Sequence, residues 1–206
     1  MAQRVLEKKE RSLGVKLFLK GERCNSPKCA LTRKPYRPGM HGKSYRRAPS
    51  ETGRQLLEKQ KIRFTYGLRE EQMRRIFETA VKKLSVATDQ ALLDLLERRL
   101  DNVIYRLGLA TSRSMAKQLV GHGHFLVNGK RVTVPSYLVR PNDVLTIRTQ
   151  SKEHLVFKDL ATTLKNYEVP GWLSLDMTTF QGTVLSAPKD LDVPFDINLV
   201  VDYYSQ

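Results

Sequence analysis

The chain has 206 residues, 40% of them hydrophobic, and carries 36 Lys and Arg against 21 Asp and Glu, a formal net charge of +15 with a pI near 10.0. That length and apolar content suit one or two folded domains, and so much positive charge points to a polyanion partner, most often nucleic acid, with an anionic membrane as the alternative. No apolar run approaches the roughly 20 residues that span a bilayer, the N-terminal stretch has no signal-peptide core, and two cysteines make no disulfide framework, so the chain reads as cytoplasmic with no membrane partner.

The charge is unevenly spread. Residues 1–70 hold 19 Lys and Arg against 6 Asp and Glu, a net +13; residues 71–150 hold 13 against 7, a net +6; residues 151–206 hold 4 against 8, a net −4. The first third is therefore the strongest polyanion-binding candidate. Residues 1–49 read as a basic, irregular arm. Arg33–Pro49, rich in Pro, Gly, Lys and Arg, cannot bury much apolar surface and should order on nucleic acid, through Arg33, Lys34, Arg37, Lys43, Arg46 and Arg47. Cys24 and Cys29 could offer two thiolates and His41 a third ligand. A structural zinc needs four, so no metal or other cofactor is expected.

Ser50 predicts an N-cap, opening a helix with Arg54, Lys59, Lys61 and Arg63 on a cationic side. Met73, Ile76, Phe77, Ala80, Val81 and Leu84 follow at helical spacing, and Leu92, Leu93 and Leu96 predict a further helix. Asp101 reads as the cap of a helix ended by Gly108. Thr111 or Ser112 caps the next, with Met115, Ala116, Leu119 and Val120 inward, and Arg113 and Lys117 on another face. Phe125 and Val127 alternate, and Asn128-Gly129 is the favoured two-residue hairpin turn, with Lys130 and Arg131 beside it. Ser136–Arg148 predicts strand, turn and strand. Lys152–Asn166 reads as a helix, and WLSLD and INLVVDYYS as strands. The fold class is α+β: a basic irregular arm at 1–49, a helical region at 50–96, and from 97 an α-α-β module with a small antiparallel sheet. A helix carrying Arg113 and Lys117 beside a turn carrying Lys130 and Arg131 suits the shape and phosphates of structured RNA.

The stretch "RLDNVIYRLGLATSRSMAKQLVGHGHFLVNGKRVTVPSYLVRPND" resembles the RNA-binding module named after small-subunit ribosomal protein S-four. "LFLKGERCNSPKCAL", "PGMHGK", "LLEKQKIRFTYGL", "LLDLLERRLDNVIYRLG", "WLSLD" and "DYYSQ" also resemble the bacterial form of that family, in order. The resemblance implies a ribosome-bound protein that organises a helix junction in the 5′ domain of small-subunit ribosomal RNA early in assembly. In fold it implies a helical domain at 50–96, completed by C-terminal elements at about 165–206, with the RNA-binding module at 97–160 inserted in it. It also implies a place beside the third and fifth small-subunit proteins, where mRNA enters, with effects on decoding fidelity. It assigns Lys43, Arg46 and Arg47 to the mRNA side and Arg54, Lys59, Lys61 and Arg63 to rRNA. Arg99, Arg106, Arg113, Lys117, His122, His124 and Lys130 would be the module's RNA-facing set. Many relatives carry two cysteine pairs for one metal, and only the second pair is present here. "RLDNVIYRLG" partly resembles the R-L-D-x-x-T-x-G motif of pseudouridine synthases. Ile104 and Arg106 stand where that motif needs Thr and Gly, so no catalytic residue is expected.

Overall fold

The structure is a computed structural model that describes residues 3–45, 47–158, 160, 164, 167–188 and 193–205. Its elements run α1 Gln3–Leu13, α2 Glu22–Asn25, α3 Ala30–Arg33, α4 Glu51–Thr65, α5 Glu70–Val81, α6 Thr88–Glu97, α7 Leu100–Arg106 and α8 Arg113–His122. Then come β1 Phe125–Val127, β2 Lys130–Arg131, β3 Val144–Ile147, α9 Leu155–Lys158, β4 Leu173–Asp176, β5 Gln181–Val184 and α10 Asn198–Ser205. The chain divides into two compact units, Met1–Leu92 with Asp192–Gln206, and Leu93–Leu191.

The first unit begins with helices where the sequence suggests an irregular arm. The reason is Glu10, buried on α1. Its Oε1 accepts hydrogen bonds from the Leu17 and Leu19 backbone N–H groups at 3.2 and 3.1 Å, which folds the chain back after α1 and buries both leucines. Residues 34–49 do lack helix and strand among the described residues, yet they are tied down. Arg11 Nε donates to the Lys34 and Tyr36 carbonyls, both at 3.1 Å, and its guanidinium lies 5.1 Å from the Tyr36 ring centre. At Gly42 any side chain would collide with backbone, because a Cβ there would sit 1.9 Å from the Arg37 carbonyl oxygen.

Ser50 caps α4 as expected, its Oγ accepting from Gly53 N–H at 3.2 Å. Met73, Phe77 and Ala80 face the core, whereas Val81 and Leu84 are exposed, Leu84 at 97%. The INLVVDYYS segment is the helix α10, not a strand. Its β-branched run favours extended chain, but packing on α4 and α5 prevails. Val200 is buried, Tyr204 stacks on Phe77 with ring centres 4.7 Å apart, and Tyr203 lies under Lys59. Those contacts recur at a spacing of three and four, which a helix supplies and a strand does not.

The second unit packs α7 and α8 with one five-stranded antiparallel sheet of order β2-β1-β3-β5-β4. The hairpin is as expected: Val127 pairs with Lys130, and Asn128 and Gly129 both have positive φ, 50° and 77°. Asn128 also ties the turn to β3, its amide donating to Asp143 at 2.8 Å and its carbonyl accepting from Val144 N–H at 2.9 Å. The strand expected before the Pro-Asn-Asp turn reduces to one bridge, Leu138 with Arg99. Residues 173–184, assigned from the sequence to the helical domain, supply β4 and β5, which extend the module's sheet beyond β3. Leu100, Val103 and Ile104 of α7, with Leu107 just after it, meet Ala116, Leu119 and Val120 of α8 over Phe125, Leu145 and Ile147. Of the helix expected at 152–166, Leu155–Lys158 is seen, and 159, 161–163 and 165–166 lie outside the described residues.

Replacing Glu10 with Ala would strand the Leu17 and Leu19 N–H groups in the interior. The expected loss is about 2–3 kcal/mol in urea unfolding, with Glu10→Gln, which keeps an acceptor, losing less.

Candidate nucleic-acid interface

The basic residues fall into two physical groups: those held inward by carboxylates and those left outward. In the first unit Arg33, Lys34, Lys43 and Arg47 are exposed and Arg37 is half-buried, while Arg46 lies outside the described residues. Lys43 sits 5.1 Å from the centre of the Tyr36 ring that Arg11 also covers. On α4, Arg54 is exposed beside Glu51 at 3.4 Å, a surface pair of little energetic weight. Lys61 pairs with Glu58, and Arg63 with Glu70 at 3.0 Å.

Lys59 departs from its expected outward role. It is buried, with Nζ 2.6 Å from Glu70 and 4.4 Å from the Tyr203 ring centre. Burial alone would raise the Glu70 carboxyl, but the Lys59 hydrogen bond and the charges of Lys59 and Arg63 outweigh it and hold the group below its ordinary value. Glu70 in turn accepts from the Tyr204 hydroxyl, whose own ionisation is suppressed by burial first and then by the Glu70 charge.

In the second unit Arg99 is likewise turned inward, only 4% exposed, and bidentate to Asp101 at 3.2 and 2.8 Å. Arg99, not Asp101, occupies the N-cap of α7, and Asp101 stands in the first turn, where its Oδ1 accepts from Asn102 N–H at 2.9 Å. A short side chain two positions past the cap thus satisfies a free N–H at the helix start while its two oxygens neutralise Arg99. Next to it lies a linked set built on Glu97, 0% exposed. The Glu97 carboxylate accepts from Arg106 Nε and Nη2, both at 3.0 Å, and from the Asn102 amide at 2.8 Å. The Asn102 side-chain oxygen accepts from Arg113 Nε at 2.7 Å, and the Arg113 guanidinium lies over Tyr105, 4.4 Å from its ring centre. Arg106 and Arg113 are therefore half-buried and oriented by this relay, while Lys117 is half-buried on α8.

Ser112 caps α8, accepting from Met115 N–H at 3.2 Å, and Gly123 ends it in left-handed backbone. Lys130 and Arg131 are exposed, and Arg131 Nη2 donates to the His122 carbonyl at 3.1 Å. That bond fastens the hairpin to the end of α8, so helix and turn form one basic edge with His122 exposed and His124 half-buried.

Residues 5–97 match the family described as ribosomal protein S4/S9 N-terminal domain, and residues 98–145 match the S4 domain. The small ribosomal subunit protein uS4 of Thermus thermophilus is 49% identical over 195 residues, covering 94% of this chain and 93% of that protein. Its namesakes from Pelotomaculum thermopropionicum and Acetivibrio thermocellus are 50% and 49% identical with the same coverage. The chain belongs to the uS4 family.

The S4 domain match ends within β3, so β4 and β5 extend the sheet past the residues that match that domain. Sequence reasoning missed Glu97 and Asn102, whose only signal is a carboxylate and an amide at the end of an apolar run. It also missed Arg148 and His154, which pairing of β1 with β3 and the following turn bring beside His124. Cys24 and Cys29 are free and buried, and burial raises the Cys24 thiol, whose sulfur lies 3.9 Å from the Glu10 carboxylate. Among the described residues no three of His, Cys, Asp and Glu gather as metal ligands.

Glu97→Ala removes the acceptor for Arg106 and the Asn102 amide in a dry interior. Chemical denaturation is expected to show a loss of about 3–5 kcal/mol, whereas Lys130→Ala on the exposed turn changes stability by no more than about 0.5 kcal/mol.

Proposed function

We propose that this chain is a non-catalytic structural constituent of the small ribosomal subunit that binds ribosomal RNA and fixes its fold. The observation that carries the reading is family membership along 94% of the chain, with relatives named small ribosomal subunit proteins. The charge supports it physically: the +15 excess needs a counter-charge, and the exposed Arg33, Lys34, Lys43, Arg47, Arg54, Lys130 and Arg131 are disposed to meet one. The finer parts of the reading are a helix junction in the 5′ domain of the RNA, bound early in assembly, and a place where mRNA enters, beside the third and fifth proteins of the subunit. It would be found ribosome-bound in the cytoplasm.

The mechanism is electrostatic and geometric. Cations neutralise phosphates and displace condensed counterions, while the rigid edge of α8 and the hairpin fixes their spacing. Asp101 supports a binding role over a modifying one. Its carboxylate is buried and committed to Arg99, which leaves no exposed nucleophile at that position.

Filter binding of the full chain to a 5′-domain rRNA fragment across a salt series tests this. Affinity should fall steeply, and the combined Lys43→Ala, Arg47→Ala, Lys130→Ala and Arg131→Ala variant should flatten the log–log slope by about 3–4 if each residue neutralises one phosphate. Affinity indifferent to salt, or equal for unrelated RNA, would overturn the reading.

A further inference from the structure

We propose that His122, His124 and His154, flanked by Arg131 and Arg148, form one phosphate-binding subsite for the RNA backbone that binds more tightly as the medium turns acidic. The proposal rests on the RNA-binding reading above and adds its regulation by protons. The geometry is a cluster drawn from three places in the sequence. The His124 ring centre lies 5.9 Å from that of His122 and 5.5 Å from that of His154. Arg148 N–H donates to the His124 carbonyl at 2.9 Å, and Arg131 is bonded to the His122 carbonyl. His122, His154 and Arg131 are exposed, so a phosphate can reach the cluster from solvent.

His124 is the fixed member. Its ring packs edge-on to Phe157 with centres 6.0 Å apart, and Nδ1 shares a 2.9 Å hydrogen bond with Ser151 Oγ. The charged groups acting on it are His154, His122, Arg131 and Arg148, and Lys152 and Glu153 stand on the turn between Ser151 and His154. Burial first, then those four like-signed neighbours, hold its imidazole below the ordinary 6.5. The free protein thus disfavours a proton there. The unfolded chain binds that proton more readily, so His124 contributes stability above about pH 6.5 that is lost as the pH falls below it.

An anion reverses this balance. A phosphate beside the two guanidinium groups and the His124 imidazole stabilises that ring's protonated form, so RNA binding takes up a proton there. By reciprocity, protons must then favour RNA binding to the same degree. The site is therefore a graded one: protonation of His124 strengthens its hold on a phosphodiester.

The test uses the full chain, the same rRNA fragment and constant ionic strength. Affinity is expected to rise about tenfold between about pH 8 and pH 6, and the His124→Gln, His154→Gln double variant should flatten that profile, which also separates the effect from protonation of the RNA bases. Independently of any variant, the His124 ring proton followed by NMR should titrate about one pH unit higher with RNA bound. A flat pH profile, or an unmoved His124 titration in the complex, would overturn the proposal while leaving RNA binding intact. Failure of the fragment to bind at any pH would overturn both. A His124 shift produced by inorganic phosphate but not by RNA would overturn the nucleic-acid assignment.

Discussion

The buried carboxylate of Glu97 is the interaction on which the second unit's basic edge depends. A chain this cationic repels itself, and arginines on neighbouring helices would splay without something between them. Glu97 supplies it from inside. It grips Arg106 through two hydrogen bonds and Asn102 through a third, and Asn102 passes the constraint to Arg113. Two arginines from different helices are thereby set in position by one negative charge. Such an arrangement is intolerant: a carboxylate enclosed this way is stable only with its donors present, and the donors only with it.

The first unit follows the same logic with different partners. Glu10 takes backbone N–H groups as its donors and converts the start of a basic segment into packed structure. Glu70 gathers Lys59, Arg63 and the Tyr204 hydroxyl, and so pins α10. Glu70 in the first unit and Glu97 and Asp101 in the second organise cations, while Arg33, Lys34, Lys43, Arg47, Lys130 and Arg131 face outward. The distinction between inward and outward cations separates stability from binding in a chain whose composition alone suggests only binding.

Local signals were legible where they are local. Asn128-Gly129 announces its turn because both residues tolerate positive φ, and Ser50 and Ser112 announce helix starts because a hydroxyl meets a free N–H. The S-four resemblance held because it rested on many short motifs in order. What the sequence hid depends on partners distant along it. Lys59 and Arg99 look like any other surface cation until Glu70 and Asp101 are seen to enclose them. Residues 198–205 carry a strand-forming composition, and only Phe77 and Lys59 reveal the helix. The extra strands β4 and β5 were visible as at most one short alternating segment, and nothing in that alternation names β3 as a neighbour.

Lys59 and Tyr203 touch across 144 positions of sequence, and every residue of the second unit is threaded between them. During synthesis a nascent chain emerges from its N-terminus onward, so α4 and α5 are exposed to the cell well before α10 exists to cover them. The interrupted unit starts first and closes last. The uninterrupted unit can collapse during the wait, on local contacts between α7, α8 and the hairpin. The contacts of α10 that close the first unit are therefore supplied only after the whole of the second unit has been made.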